Sequence, residues 1–152
     1  VPTILILQNM KIFYIVVLVL SGLALFYACT MRLINPKGAV FLQTFFENPE
    51  NSLDNHTDWV SEIRGVGAVM LLGGIVVLLG AVKADFRFTS FVVATVIFTG
   101  VVMGRSLSFF LEGVPHPNLI RVAITEGVLA ALNIYGLLRL YGTSFEHAQH
   151  LG

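Results

Sequence analysis

The sequence predicts an all-α integral membrane protein, a bundle of four transmembrane helices, and three observations support this fold class. Of the 152 residues, 56% are hydrophobic and only 12% are charged. The mean hydropathy of +0.83 is well above that of a soluble domain, whose surface needs more charged side chains. Four long apolar stretches recur along the chain, and a soluble fold would have to expose much of them to water.

Each apolar stretch contains a 17-residue core, and three of the four cores carry no charged residue. A helical core of this length covers about 25 Å, and flanking turns extend it across the hydrocarbon layer. Because a bilayer cannot satisfy the hydrogen bonds of an open backbone, these stretches are predicted to be helices despite their many β-branched residues. We therefore expect a single transmembrane domain, residues 1–152, with spans at about 12–31, 63–82, 88–110 and 119–140.

The first span also has features of a cleavable secretion signal, since Lys11 precedes a long apolar stretch. Its core is longer than an ordinary signal core, and Phe26 and Tyr27 are too large for the positions that precede a lipoprotein cysteine. We therefore expect the span to be retained. Cys29, the single cysteine, excludes an internal disulfide and is expected to be a core or lipid-facing residue.

The connection between the first two spans, residues 32–61, is long and contains two Asn-Pro turn signals. Between these signals, residues 39–46 are mostly apolar and include three phenylalanines. This segment is predicted to form a short helix at the membrane interface. A hydrophobic loop that covers the bundle is the alternative interpretation.

Small residues at helical spacing predict close packing between helices. We expect the second and third spans to pack tightly inside the bundle, and a homodimer surface is the alternative. The residues that carry this pattern are Gly67, Gly73, Gly74 and Gly80 in the second span, Gly100 and Gly104 in the third, Ala24 and Ala28 in the first, and Gly127 and Ala131 in the fourth.

Polar residues gather at the turn between the third and fourth spans. Arg105 and Ser108 share one helix face, and residues 113–117, Gly-Val-Pro-His-Pro, break the helix. Glu126 lies about 9 Å inside the fourth span, where an ionised carboxylate without a partner would be costly. Because Arg105 and Glu126 lie about ten residues to either side of the turn, they should be level in an antiparallel hairpin. The sequence therefore predicts that they form an ion pair.

Further charges at the start of the second span lie on the same side of the membrane. The candidate ligand-binding residues are Glu62, Arg64, Arg105, Ser108, His116 and Glu126. They could form a hydrated pocket for a small anionic molecule or a lipid, or an ion-pair network that only fixes helix register. Because no nucleophile–base arrangement or metal-ligand set is recognisable, no catalytic residue, metal or cofactor is predicted, and an enzyme is disfavoured.

The charge balance makes nucleic acid an unexpected partner, since Lys plus Arg and Asp plus Glu number nine each. An even number of spans places both termini on one side, which carries four of the nine basic residues. Several arginines on the other side lie at helix ends, where they can pair with carboxylates. Arginines paired in this way would not act as topology signals under the positive-inside rule. We therefore expect the termini to be cytoplasmic.

Four segments together resemble a known family. They are Glu62-Ile-Arg64, Arg105-Ser-Leu-Ser108, the turn at residues 113–117, and Glu126. This combination is similar to the bacterial membrane proteins catalogued as domain of unknown function 4345, over roughly residues 10–141. The resemblance implies a four-helix protein of the inner membrane and marks these residues as a candidate site, without supplying a substrate.

Two function classes remain open from the sequence. The first is a membrane protein that binds a small anionic molecule or a lipid in the polar cluster. The second is a structural or accessory subunit of a larger membrane assembly, or a homo-oligomer, that uses its glycine faces for contact. The lipid bilayer is the one partner that both classes require.

Overall fold

The computed structural model describes residues 2–36 and 56–149, with side-chain surroundings for 8–36 and 60–142. These residues form four α-helices, α1 (Pro2–Ile34), α2 (His56–Val82), α3 (Arg87–Glu112) and α4 (Pro117–Gln149). A short 3-10 helix, Ala84–Phe86, joins α2 to α3, and no strand occurs within the described ranges. The predicted all-α class is confirmed.

All four helices are long and apolar enough to cross a membrane, which indicates a multi-pass membrane protein. The apolar segments are Gln8–Ile34, Val60–Val82, Ala84–Glu112 and Pro117–Gly142. Each extends a few residues beyond the predicted span, and α2 already begins at His56, within the predicted connection. Helices can continue past the hydrocarbon layer because polar side chains are tolerated at the interface. The interfacial helix predicted at residues 39–46 lies outside the described residues.

The bundle has α1 and α3 at its centre, with α2 and α4 on opposite sides. Neighbouring helices pack in chain order, α1 on α2, α2 on α3 and α3 on α4, and α1 also touches both α3 and α4. Leu18, Val77 and Phe91, from three different helices, are fully buried in the core. Cys29 is also buried, so its predicted place inside the first span is confirmed.

The glycines of α2 form two packing faces. Gly67 and Gly74 face α1, and a methyl group at either position would crowd side chains of that helix. Gly73 and Gly80 face α3 in the same way. Helix backbones can approach closely where no side chain intervenes. The predicted tight packing of the second span is therefore confirmed.

The glycines of α3 behave differently. A methyl group at Gly100 or Gly104 would meet nothing within 4 Å among the described atoms, and both glycines are exposed. The inward face of α3 is occupied by Phe91, Ala94 and Phe98. Because successive helix residues are rotated by about 100°, Gly100 and Gly104 lie on the opposite face. The prediction that they pack inside the bundle is wrong.

Two groups of contacts join α1 to α4 in the half of the bundle nearest the termini. Asn133 Nδ2 donates a hydrogen bond to Ser21 Oγ at 2.7 Å, and both side chains are fully buried. Closer to the termini, the rings of Phe13 and Tyr135 meet edge to face, with centroids 5.5 Å apart. These contacts fix α1 against α4 in this half of the bundle.

Candidate functional site

The α3–α4 hairpin brings the candidate residues together at the end of the bundle opposite the termini. Helix α3 ends at Glu112, and Gly113 has a φ of +97°, a conformation that favours glycine. Helix α4 then begins with Pro117, whose fixed φ suits the first helical position. His116 is exposed in this turn, and its Nδ1 accepts a hydrogen bond from the Asn118 backbone N–H at 3.3 Å.

Arg105 and Glu126 form a two-pronged ion pair across this hairpin. The guanidinium Nε donates to Oε2 at 2.5 Å, and Nη2 donates to Oε1 at 3.1 Å. Their side chains are only 16% and 15% exposed, so the pair is largely removed from solvent and lipid. The parallel N–H···O geometry fixes the orientation of both side chains. The pairing predicted from their distances to the turn is confirmed.

A cavity of about 300 Å³ lies beside this ion pair, between α1, α3 and α4. Four buried apolar side chains line its inner part, namely Leu25, Met70, Phe98 and Leu129. Its charged lining residues among those the structure describes are Arg32, Arg105, Arg121 and Glu126. The cavity therefore has an apolar part and a charged part.

The order of residues along the helices separates these two parts by depth. Helices α1 and α3 run toward the turn that follows α3, and α4 runs away from it. Along α1, Leu25 precedes Arg32 by seven residues, and along α3, Phe98 precedes Arg105 by the same number. At 1.5 Å per residue, the arginines lie about 10 Å nearer the membrane surface than the apolar lining.

Arg32 is held at the cavity by its own helix and by α2. Its Nη1 donates to the carbonyl oxygen of Ala28 at 3.0 Å, and its side chain is half-buried. It lies close enough to Arg105 and Glu126 to interact electrostatically with both. On its other side, the absence of a side chain at Gly67 allows α2 to approach the Arg32 Cβ. Close helix packing therefore positions a second arginine beside the ion pair.

Only two of the six residues predicted from the sequence line this cavity, Arg105 and Glu126. The other four are exposed and lie outside its lining, namely Glu62, Arg64, Ser108 and His116. Glu62 and Arg64 flank the buried Ile63, so helical rotation turns both away from the interior. Their role in ligand binding stays a prediction.

Sequence reasoning did not assign Arg32, Arg121 and Thr125 to the site. One signal for Arg32 was present, because Ala24, Ala28 and Arg32 follow one another at four-residue spacing on one face of α1. The two alanines line the cavity, so these small side chains leave open space below the arginine. From the sequence alone, small residues at this spacing indicate only a packing surface.

The described lining contains three arginines and one glutamate. A guanidinium presents several N–H donors in a fork that matches carboxylate and phosphate oxygens. The site is therefore suited to holding an anion. No group of three or more His, Cys, Asp or Glu residues that could hold a metal occurs in the part of the chain that the structure describes.

These features define a helical multi-pass membrane protein with a basic cavity between its helices. The chain belongs to the family described as Domain of unknown function (DUF4345), which matches residues 13–137 and confirms the resemblance noted from the sequence. The matched region includes the four charged lining residues that the structure describes. No curated protein and no solved structure matches the chain.

Proposed function

We propose that this membrane protein binds a small anionic molecule, or the anionic head of a lipid, in the cavity between α1, α3 and α4. The observation that carries this proposal is that Arg32, Arg105 and Arg121, together with one carboxylate among the described residues, line a largely apolar space of about 300 Å³. In such surroundings a charged ligand is screened less than in water, so its attraction to the arginines is stronger. An anion would accept hydrogen bonds from the guanidinium groups that line the cavity.

Each charged residue has a distinct role in this proposal. Glu126 holds Arg105 in a fixed orientation through the two hydrogen bonds and neutralises one positive charge. Arg32 and Arg121 approach from the other walls of the cavity and supply N–H donors to the ligand. Thr125 also lines the cavity and offers a hydroxyl group.

The other interpretation is an ion pair that only fixes helix register. That role requires Arg105 and Glu126 but gives no reason for an adjoining cavity or for two further arginines on its walls. Charged side chains at membrane depth are costly and often mark a functional site. The arginines from α1 and α4 therefore favour ligand binding over a purely structural pair.

Replacing Arg32 with glutamine is expected to weaken binding of hexyl phosphate at least about tenfold. A hydrogen bond to a charged group contributes about 1.5–3 kcal/mol, and 1.4 kcal/mol corresponds to a factor of ten in Kd. The affinity would be measured by isothermal titration calorimetry in a non-ionic detergent. Arg139→Gln is the matched control, because Arg139 lies near the opposite end of α4 and outside the cavity lining.

The Arg64→Gln variant tests whether the ligand binds in this cavity or at the outward-facing residues that the sequence also predicted. Arg64 lies at the same end of the bundle but faces outward. We expect the affinity of this variant for hexyl phosphate to equal that of the unmodified protein. Unchanged binding by Arg32→Gln, or equal losses in Arg32→Gln and Arg139→Gln, would contradict the proposed site.

A second candidate function is that of a subunit in a larger membrane assembly or a homo-oligomer. The observation that favours it is the outward position of Gly100 and Gly104, a pair at the spacing that permits close approach of a second helix. Binding of an anion in the cavity and assembly through α3 use different surfaces. The two functions are therefore compatible.

We further propose that the protein resides in the inner membrane with its termini in the cytoplasm. Arg105 is engaged by Glu126, and Arg32 turns back toward its own helix, as expected for arginines that do not act as topology signals. A reporter that is active only in the cytoplasm, fused after Gly152, should therefore be active. Activity from a periplasm-specific reporter alone would reverse the orientation.

A further inference from the structure

The cavity opens on one side of the bundle. Its exposed lining residues, within the described part of the chain, come from α1 and α4 alone, and they are Tyr27, Arg121, Val122 and Thr125. The lining residues from α2 and α3 are buried or half-buried. Both helices that form the rim have segments long and apolar enough to cross a membrane. The opening between them therefore faces the hydrocarbon layer.

The opening is closed toward the membrane centre. There α1 and α4 are joined by the buried Ser21–Asn133 hydrogen bond, and nearer the termini by the contact between Phe13 and Tyr135. Between this closure and the loop end of the bundle, the cavity is lined by residues of both helices. The result is a lateral slot in one half of the bundle.

Charged and apolar residues line the slot in the same order of depth as the charged head and the acyl chain of a lipid in that leaflet. Its arginines lie toward the membrane surface, and Leu25, Phe98 and Leu129 lie toward the membrane centre. A lipid in this leaflet places its charged head and its acyl chain in the same order. An amphiphile can therefore enter from the bilayer without turning over.

The volume of the cavity and the residues of its lining limit the kind of ligand that it can bind. A space of about 300 Å³ is at the lower end for small-molecule sites, so it holds a head group and the first part of a chain. The remainder of the chain can stay in the bilayer because the slot is open at the side. The three arginines of the described lining can donate N–H groups to phosphate oxygens, whose arrangement a guanidinium group matches.

We propose that the ligand is a membrane-resident amphiphile with an anionic phosphate head, and that it enters the cavity laterally between α1 and α4. This inference rests on the proposed function and adds the ligand class and the route of access. It assigns the head to Arg32, Arg105 and Arg121, and the first part of the chain to the apolar lining.

The test uses the full chain in nanodiscs of phosphatidylcholine that contain a small fraction of phosphatidic acid. Lipid retained by the protein after transfer to detergent is identified by native mass spectrometry. The unmodified protein should be enriched several-fold in phosphatidic acid relative to the disc. Val122→Trp, which places a large side chain on the rim, should lose this enrichment. Leu138→Trp is the matched control, because Leu138 is an exposed residue of α4 outside the cavity lining.

Thermal unfolding establishes that each variant is folded, and Thr125→Trp on the same rim replaces Val122→Trp if that variant is not. Enrichment that persists in a folded rim variant would overturn lateral access. A protein that binds hexyl phosphate from water but shows no enrichment in phosphatidic acid would overturn this inference and leave the proposed function standing. Absence of both would overturn the two together.

Discussion

Replacing either Arg105 or Glu126 with glutamine is expected to reduce the free energy of unfolding by about 3–5 kcal/mol, whereas the double replacement should cost much less than the sum. Each single change leaves a charged group without its partner in a site that is only 15–16% exposed. The double change removes both charges. Folded yield and thermal stability in detergent, compared across the four proteins, give the coupling between the residues.

A coupling energy above about 1 kcal/mol would agree with the pair, and additive losses would contradict it. The double variant also shows whether the pair contributes to ligand binding or only fixes helix register. If it is stable but no longer binds hexyl phosphate, the pair belongs to a binding site. If it is stable and binds hexyl phosphate as before, the pair serves only to fix helix register.

Gly80→Val is expected to reduce the free energy of unfolding by about 1–3 kcal/mol, the usual effect of overpacking a filled interior. A side chain at Gly80 would collide with Ser90 of α3 and crowd Leu18 of α1. It would also displace the Ser90 hydroxyl, which donates to the carbonyl oxygen of Val76 at 2.6 Å. Thermal unfolding in detergent measures the loss.

Gly100→Val is the matched control for this prediction, since a side chain at Gly100 would meet open space. We expect its stability as a monomer to be close to that of the unmodified protein. An equal loss in the two variants would contradict the packing described for α2 and α3. Size-exclusion chromatography with light scattering adds a second readout, because a dimer that dissociates only in Gly100→Val would support assembly through α3.

The ion pair shows how far reasoning from the sequence can reach into tertiary structure. A helix-breaking turn at residues 113–117 defines an antiparallel hairpin, and counting residues from its centre gives the relative depth of side chains on the two helices. Arg105 and Glu126 are level by this count. Their pairing followed because an intramembrane carboxylate needs a nearby cation or a proton.

The same reasoning placed Glu62 and Arg64 in the cluster, because they lie at the same end of the bundle. Their depth was a sound inference, but depth does not specify the direction of a side chain. In this part of α2 the buried residue is Ile63, and its neighbours Glu62 and Arg64 are rotated by about 100° to either side of it. The glycines of α3 show the same limitation, since their spacing is favourable for packing but they face outward.

Local properties of the chain were sufficient to predict the number of spans, their helical state and the position of the turn. Apolar length and the need to satisfy backbone hydrogen bonds in lipid depend only on residues adjacent in sequence. The cavity depends instead on the rotation of each helix and on which helices are neighbours. Arg32 lines the same cavity as Arg105 and Glu126, which are 73 and 94 residues away along the chain, because α1 packs beside α3 and α4. Such long-range contacts follow from the mutual fit of all four helix surfaces, which no single segment encodes.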